Sequence, residues 1–193
     1  MKRLTFEVKH DALAIAELST IPSGLLATDA ATKAADISIV FSGSIHPGKF
    51  LLVLEGGVSE TELALNAVCD SGRRRLIDAI HLPFPHPQLR RPQAAKVGDA
   101  EPALMSVETL TIPSLLGVTD RILKSTSTVL RLLQLADHLG GKSVVVLEGP
   151  LADIEAAEGY VRADVSSVLL SDLQVIRRPS AQFVEGFLAS LRD

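Results

Sequence analysis

An internal repeat constrains the fold more than any other feature of the chain. Glu17, Thr20-Ile21-Pro22-Ser23, Asp29 and Lys33 return as Glu108, Thr111-Ile112-Pro113-Ser114, Asp120 and Lys124 at a constant spacing of 91 residues. Between residues 12–35 and 103–126, 11 of 24 positions are identical. Gly48-Lys49 and Val53-Leu54-Glu55-Gly56 return as Gly141-Lys142 and Val146-Leu147-Glu148-Gly149 at a spacing of 93, and Pro85 returns as Pro179 at 94. Identities that stay collinear over a whole unit indicate one structural unit written twice. The two added residues fall between the anchors, near or within the loop that carries His46. The 193 residues therefore divide into domains 1–93 and 102–193, with 94–101 as a linker inside the polar, Pro/Gly/Ala-rich joint "RRPQAAKVGDAEP".

Each unit is expected to run strand, helix, strand, loop, strand, helix, strand, short helix. In the first, "ALAIAEL" is a strand and Pro22-Ser23 opens a helix to about Ala35. "ISIVFS" and "FLLVLEG" are strands flanking a loop, Ser59 and Glu62 have capping-box spacing before a second helix, and "LIDAIHL" is the fourth strand. The second unit repeats this order and ends in "SAQFVEGFLASL". The alternation of Leu4, Phe6 and Val8 reads as a further short strand. The fold class is α/β in the α+β sense: two tandem domains, each a four-stranded mainly antiparallel sheet with flanking helices on one side.

Composition narrows the function. Aromatic residues make up 4% of the chain and the formal net charge is −4, so there is neither a stacking platform nor a basic field for nucleic acid. Cys69 is the only cysteine, which forbids an internal disulfide and suits a reducing compartment, and no apolar run is long enough to cross a bilayer. A cytoplasmic protein with no nucleic-acid or membrane partner is expected. No P-loop, dinucleotide fingerprint, zinc spacing or catalytic triad is present, so no catalytic residue is assigned. Cys69 reads as a small core residue, and Arg73-Arg74-Arg75 as a solvated helix end.

The ordered set of motifs resembles the tandem-domain shell proteins of bacterial microcompartments. The strands Ala12–Leu18 and Ala103–Thr109, the pairs Asp29/Lys33 and Asp120/Lys124, the loops ending in Gly-Lys, and the closing segments Leu82-Pro83-Phe84-Pro85-His86 and Ile176-Arg177-Arg178-Pro179-Ser180 carry the resemblance. Phe84 replaces the usual arginine in the first closing segment, and the second keeps arginine but loses histidine. The resemblance implies a non-enzymatic shell tile. It would be a homotrimer whose six domains form a pseudohexamer packed edge to edge with other shell proteins, with a central pore that passes small metabolites or electrons. Lys33, Lys124 and Arg178 match residues that contact a neighbouring tile at its edge.

In this frame Ser44, Ile45, His46, Pro47, Gly48 and Lys49 of the first loop, and Asp137, His138, Leu139, Gly140 and Gly141 of the second, are expected to line the pore. Because the loops differ, the opening would have threefold chemistry. Read alone, His46 is a solvent-facing loop residue; three at one axis would form a proton-sensitive ring or a metal site. The first loop looks nearest to that of the propanediol-utilisation type, which has cysteine where this chain has His46 and holds an iron–sulfur cluster with it. Histidine there makes a cluster unexpected. The alternative function is a trimeric protein that holds a metal or redox centre through His46.

Overall fold

A computed structural model describes residues 10–90, 102–136 and 139–190. The strand expected near the N-terminus and the linker at 94–101 lie outside the described residues. The first unit comprises β1 (Ala12–Leu18), α1 (Ile21–Ala34), β2 (Ser38–Ile45), β3 (Lys49–Gly56), α2 (Val58–Gly72), β4 (Leu76–Pro83) and a short α3 (Pro87–Arg90). The second comprises β5 (Ala103–Thr109), α4 (Ile112–Ser125), β6 (Val129–Leu135), β7 (Ser143–Gly149), α5 (Leu151–Asp164), β8 (Leu170–Ile176) and α6 (Ala181–Ser190). Both sheets are four-stranded and antiparallel throughout, ordered β2-β3-β1-β4 and β6-β7-β5-β8. The expected pattern of elements is present twice.

Register locates the inserted residues. Ile45 pairs with Lys49 across three loop residues, whereas Ala136 accompanies Lys142 across five, so the extra pair lies inside the second loop. The expected capping box does not form. Helix α2 starts one residue before Ser59 with Gly57 as its cap, and Thr61 turns its hydroxyl back to the Gly57 carbonyl at 2.8 Å. Proline at the start of α1 and α4 suits a first turn in which an amide would have had no intrahelical acceptor.

Strand β1 is buried along its whole length because its sheet is covered on both faces. Ala14, Ala16 and Leu18 pack with Phe50, Leu52 and Leu54 against Ala27 and Ala31 of α1 and Ala64 and Val68 of α2. The opposite side chains, Leu13 and Ile15, join Val53 and Leu82 in a core shared with the second unit. Helix α4 from that unit is the cover on this second face, where Gly117 lets it approach Ile80. The helices of each unit lie on one side as expected, but the other side is not left to solvent in unit one.

The two units fill one equivalent site in opposite ways. In unit one Gly24 leaves room for Phe50, whose ring would lie 2.1 Å from an added Cβ. In unit two the same positions hold Leu115 and Ser143, and the Ser143 hydroxyl is buried with no hydrogen-bond partner among the described residues. An unsatisfied buried hydroxyl is destabilising. Ser143→Ala is therefore expected to raise stability by about 1 kcal/mol, read as a higher urea midpoint with an unchanged m-value.

Candidate functional site at the paired loops

The two glycine-lysine loops come together in one chain. Gly141 has φ +83° and lies so close to the first loop that an added Cβ would stand 2.5 Å from the His46 carbonyl oxygen and 2.8 Å from Pro47 Cδ. Gly48, at φ +126°, closes the first turn by donating its N–H to Ile45 O at 2.9 Å. Gly141→Ala should thus force the loops apart. The left-handed backbone alone costs about 1–2 kcal/mol, and the loss should appear as reduced thermal stability together with new protease cleavage at the loop.

Of the residues expected to line the opening, Ser44, His46, Pro47, Gly48 and Gly140 are exposed, and Leu139 is half-buried. Gly141 is buried beneath the first loop. Ile45 differs from the expectation: its side chain is part of the shared core, because inward alternation along β2 ends there. Asp137 and His138 lie outside the described residues.

Lys49 also has a different task from the positive lining its position suggested. Its ammonium donates to Glu17 Oε2 at 2.7 Å, Leu110 O at 2.7 Å and Gly141 O at 3.2 Å. All three N–H bonds are used inside the chain, so this charge ties the two units together. Glu17, 0% exposed, accepts the Ile112 backbone N–H through its other oxygen at 2.6 Å. Burial pushes the Glu17 carboxyl up, while the Ile112 amide and Lys49 pull it partly back.

A second carboxylate completes this seam. Asp78 Oδ2 accepts the Thr111 hydroxyl at 2.5 Å, the Ser114 hydroxyl at 2.6 Å and the Ser114 N–H at 3.0 Å. It thereby caps the N-terminus of α4, where the amides have no intrahelical acceptors and the dipole favours an anion. At the other end of α4, Asp120 accepts the His86 N–H at 2.7 Å and pairs with Lys124 at 2.6 Å. Lys124 also donates to Pro83 O at 3.1 Å. Lys33 is exposed and pairs with Asp29 at 2.6 Å, and Arg178 is exposed beyond β8. The structure thus gives Lys124 a contact between the units, while Lys33 and Arg178 face outward.

The seam residues Glu17, Asp78 and Asp120 were not singled out as a site from sequence. The available signal was that each is repeated identically, as Glu108, Asp172 and Asp29. The surfaces that carry the repeated residues differ sharply in cover. Ile112 and Leu116 of α4 are 0% and 3% exposed, whereas their counterparts on α1, Ile21 and Leu25, are 44% and 60% exposed. Asp172 Oδ1 accepts its neighbour's N–H, Leu173, as Asp78 Oδ1 accepts Ala79, but among the described residues no hydrogen bond to its Oδ2 is present. Thr20 and Ser23 bond each other at 2.9 Å, where Thr111 and Ser114 bond Asp78. Glu108 pairs with Lys142 at 2.7 Å, and that lysine with Ser171 holds its carboxyl below the usual range. Within the chain, unit one thus carries the filled face and unit two the helix that fills it, while the equivalent face of unit two and helix α1 of unit one are left uncovered.

Two four-stranded antiparallel domains, repeated in tandem with paired Gly-Lys loops, define a microcompartment shell protein, and the chain belongs to that family. The BMC domain model matches residues 12–85. The chain is 31% identical over 181 residues to the bacterial microcompartment shell protein PduT of Citrobacter freundii, covering 91% of this chain and 98% of that one. A microcompartment protein of Desulfitobacterium hafniense superposes with a TM-score of 0.68 at 27% identity, over 92% of this chain and 99% of the other. A fused permuted hexameric shell protein from the RMM microcompartment shares the fold, with a TM-score of 0.54 at 16% identity, over 79% and 80% of the chains. The chain is accordingly a structural tile of a microcompartment shell in the cytoplasm. Among the described residues no helix is long and apolar enough to cross a membrane.

Proposed function

We propose that three copies of the chain close head to tail into a pseudohexameric tile with a central pore, and that the tile passes small metabolites without catalysing a reaction. The observation that carries this reading is the half-used seam. The face of unit one is filled by α4 of unit two, while the matching face of unit two and the matching helix of unit one stay open. A second chain can supply Thr20, Ile21 and Ser23 to Glu108 and Asp172 as Thr111, Ile112 and Ser114 are supplied to Glu17 and Asp78. Because this contact joins different surfaces, it must either close into a ring or run on as a filament. Three chains give the six domains that the tandem family resemblance implies.

In such a ring the loops, which meet within one chain where Gly141 approaches His46 and Pro47, converge on the axis. His46, Ser44, Pro47 and Gly48 then line the opening with the second loop. Lys49 and Lys142 act at the seams. Lys33, Lys124 and Arg178 lie toward the rim, where other shell proteins meet the tile. Sedimentation of the purified chain tests closure: a single trimeric species is expected, and monomers or open-ended fibres would refute it. Negative-stain images of concentrated trimer should show hexagonal sheets.

Within one chain, the described residues form no cluster of three His, Cys, Asp or Glu able to hold a metal. A metal at the pore would therefore draw on His46 from all three chains, and elemental analysis of trimer against a His46→Ala control reads it directly. Metal retained by the wild type and lost from the variant would favour a redox or metal role for the pore.

A further inference from the structure

We infer that the C-terminal helix α6 is an arm that seats on the α1–β2 surface of an adjacent copy of the chain. The inference rests on the head-to-tail ring proposed above and adds a contact that the carboxylate seam does not include. Its basis is that the chain already makes the same contact once with itself. The short helix α3 leaves the closing segment of unit one and packs on α4 and β6 of unit two. There Gln88 Oε1 accepts the Leu130 backbone N–H at 2.7 Å, and Leu89 packs against the shared core. Strand β6 is an outer strand of its sheet, so a side-chain amide can reach its free edge.

Every partner in that contact has a counterpart in the other unit. Gln182 repeats Gln88 and Phe183 stands where Leu89 does, at the spacing of 94 that relates Pro85 to Pro179. Ile39 repeats Leu130 on the outer strand β2: Ile39 pairs with Leu54 as Leu130 pairs with Leu147. Leu130 is 1% exposed beneath α3, whereas Ile39 is 45% exposed and Phe183 44% exposed. The receiving strand thus presents to solvent an apolar side chain that the internal copy buries, and the arm exposes Phe183 where the internal copy half-buries Leu89. The unit that offers the arm is also the unit whose β8 face receives α1, so one neighbour satisfies both contacts without a change of geometry.

The second arm is the longer one. Helix α3 has 4 residues and α6 has 10. Phe187 stacks on Phe183 with ring centroids 6.1 Å apart, one turn further along. The added length extends the apolar ridge beyond the point reached by Leu89, so α6 covers more of β2 and α1 than α3 covers of β6 and α4. The contact between chains is thereby larger than its counterpart within the chain, as a joint without a covalent linker requires. Phe183 has under half of its surface left to bury, so the apolar gain alone corresponds to roughly a 3- to 10-fold change in association, and a carboxylate placed in the contact adds its desolvation penalty.

The test uses the full chain with Cys69→Ser as background. One preparation carries Gln182→Cys and a second carries Ile39→Cys; the two are mixed, reassembled and treated with a short bismaleimide. A covalent dimer on a denaturing gel is expected from the mixture and from neither preparation alone. Phe183→Glu should weaken the trimer at least 10-fold in sedimentation, and Phe183→Leu, which copies Leu89, should retain it. Trimers that form normally yet give no cross-link, with Phe183→Glu silent, would overturn the arm and leave the ring intact. A monomeric wild type would overturn the ring and the arm together. Cross-linking of the Gln182→Cys preparation only to another kind of protein would also overturn the arm, since the occupant is a second copy.

Discussion

Asp172→Ala is expected to dissociate the assembled protein while leaving the single chain as stable as before. Asp78→Ala should do the reverse, because the same carboxylate then disappears from inside the chain. Asp78 receives three donors at the start of α4. Hydrogen bonds to a charged group contribute roughly 1.5–3 kcal/mol each and are not additive, so the loss should be about 3 kcal/mol of folding stability. For Asp172 the same loss falls on association and weakens each seam roughly 100-fold. Thermal melts of dilute protein and sedimentation across a concentration series separate the two effects. Equal destabilisation of the dilute chain by both variants would show that the repeated aspartates do not play repeated roles. Asn at either position should recover part of the effect, since its oxygen still accepts hydrogen bonds while the charge that favours the helix N-terminus is gone.

The repeat made the secondary structure legible because it supplied two readings of each element. Strand β1 matches "ALAIAEL" to the residue, and β3 contains the whole of "FLLVLEG" with Lys49 added at its start. Errors arose where a local rule competed with a neighbouring element. Ser59 and Glu62 have capping-box spacing, but β3 runs straight to Gly56 and the helix begins at Val58. Ile45 looked like part of a loop from its neighbours His46 and Pro47, yet it is the last residue of β2 and faces the core. The site was harder to read than the fold. A lysine after a loop glycine suggests a solvated cation, and only tertiary structure brings Glu17, the Leu110 carbonyl and the Gly141 carbonyl around Lys49. The apolar character of β1, unbroken from Ala12 to Ala16, did hold the clue, since a strand apolar on both faces needs two covers, and Glu17 marks where the second cover brings the Ile112 amide. What sequence could not show is that the second cover comes from the repeated unit, or that this use leaves the equivalent surface of unit two open.

Glu17→Ala is expected to cost about 3–5 kcal/mol of stability, since removing one partner of a buried ion pair strands the other. Lys49 would keep only carbonyl acceptors, and the Ile112 amide at the start of α4 would lose its acceptor. Glu17→Gln should cost much less, because an amide oxygen can still accept from Ile112. The two variants also separate charge from hydrogen bonding through pH. Burial is the largest influence on Glu17 and raises its carboxyl above 4.5 in the folded chain. For a carboxyl shifted upward, the folded state holds its proton more tightly than the unfolded state does. The contribution of this group is therefore fully present below the ordinary value of 4.5 and is lost as pH rises through the raised value. The difference in unfolding free energy between wild type and Glu17→Gln, measured by urea denaturation across this window, should shift against the wild type as pH increases. A difference that moves in the wild type's favour would mean that Lys49 and the Ile112 amide outweigh burial at Glu17, and that the seam is held by an ion pair whose charge stabilises the fold.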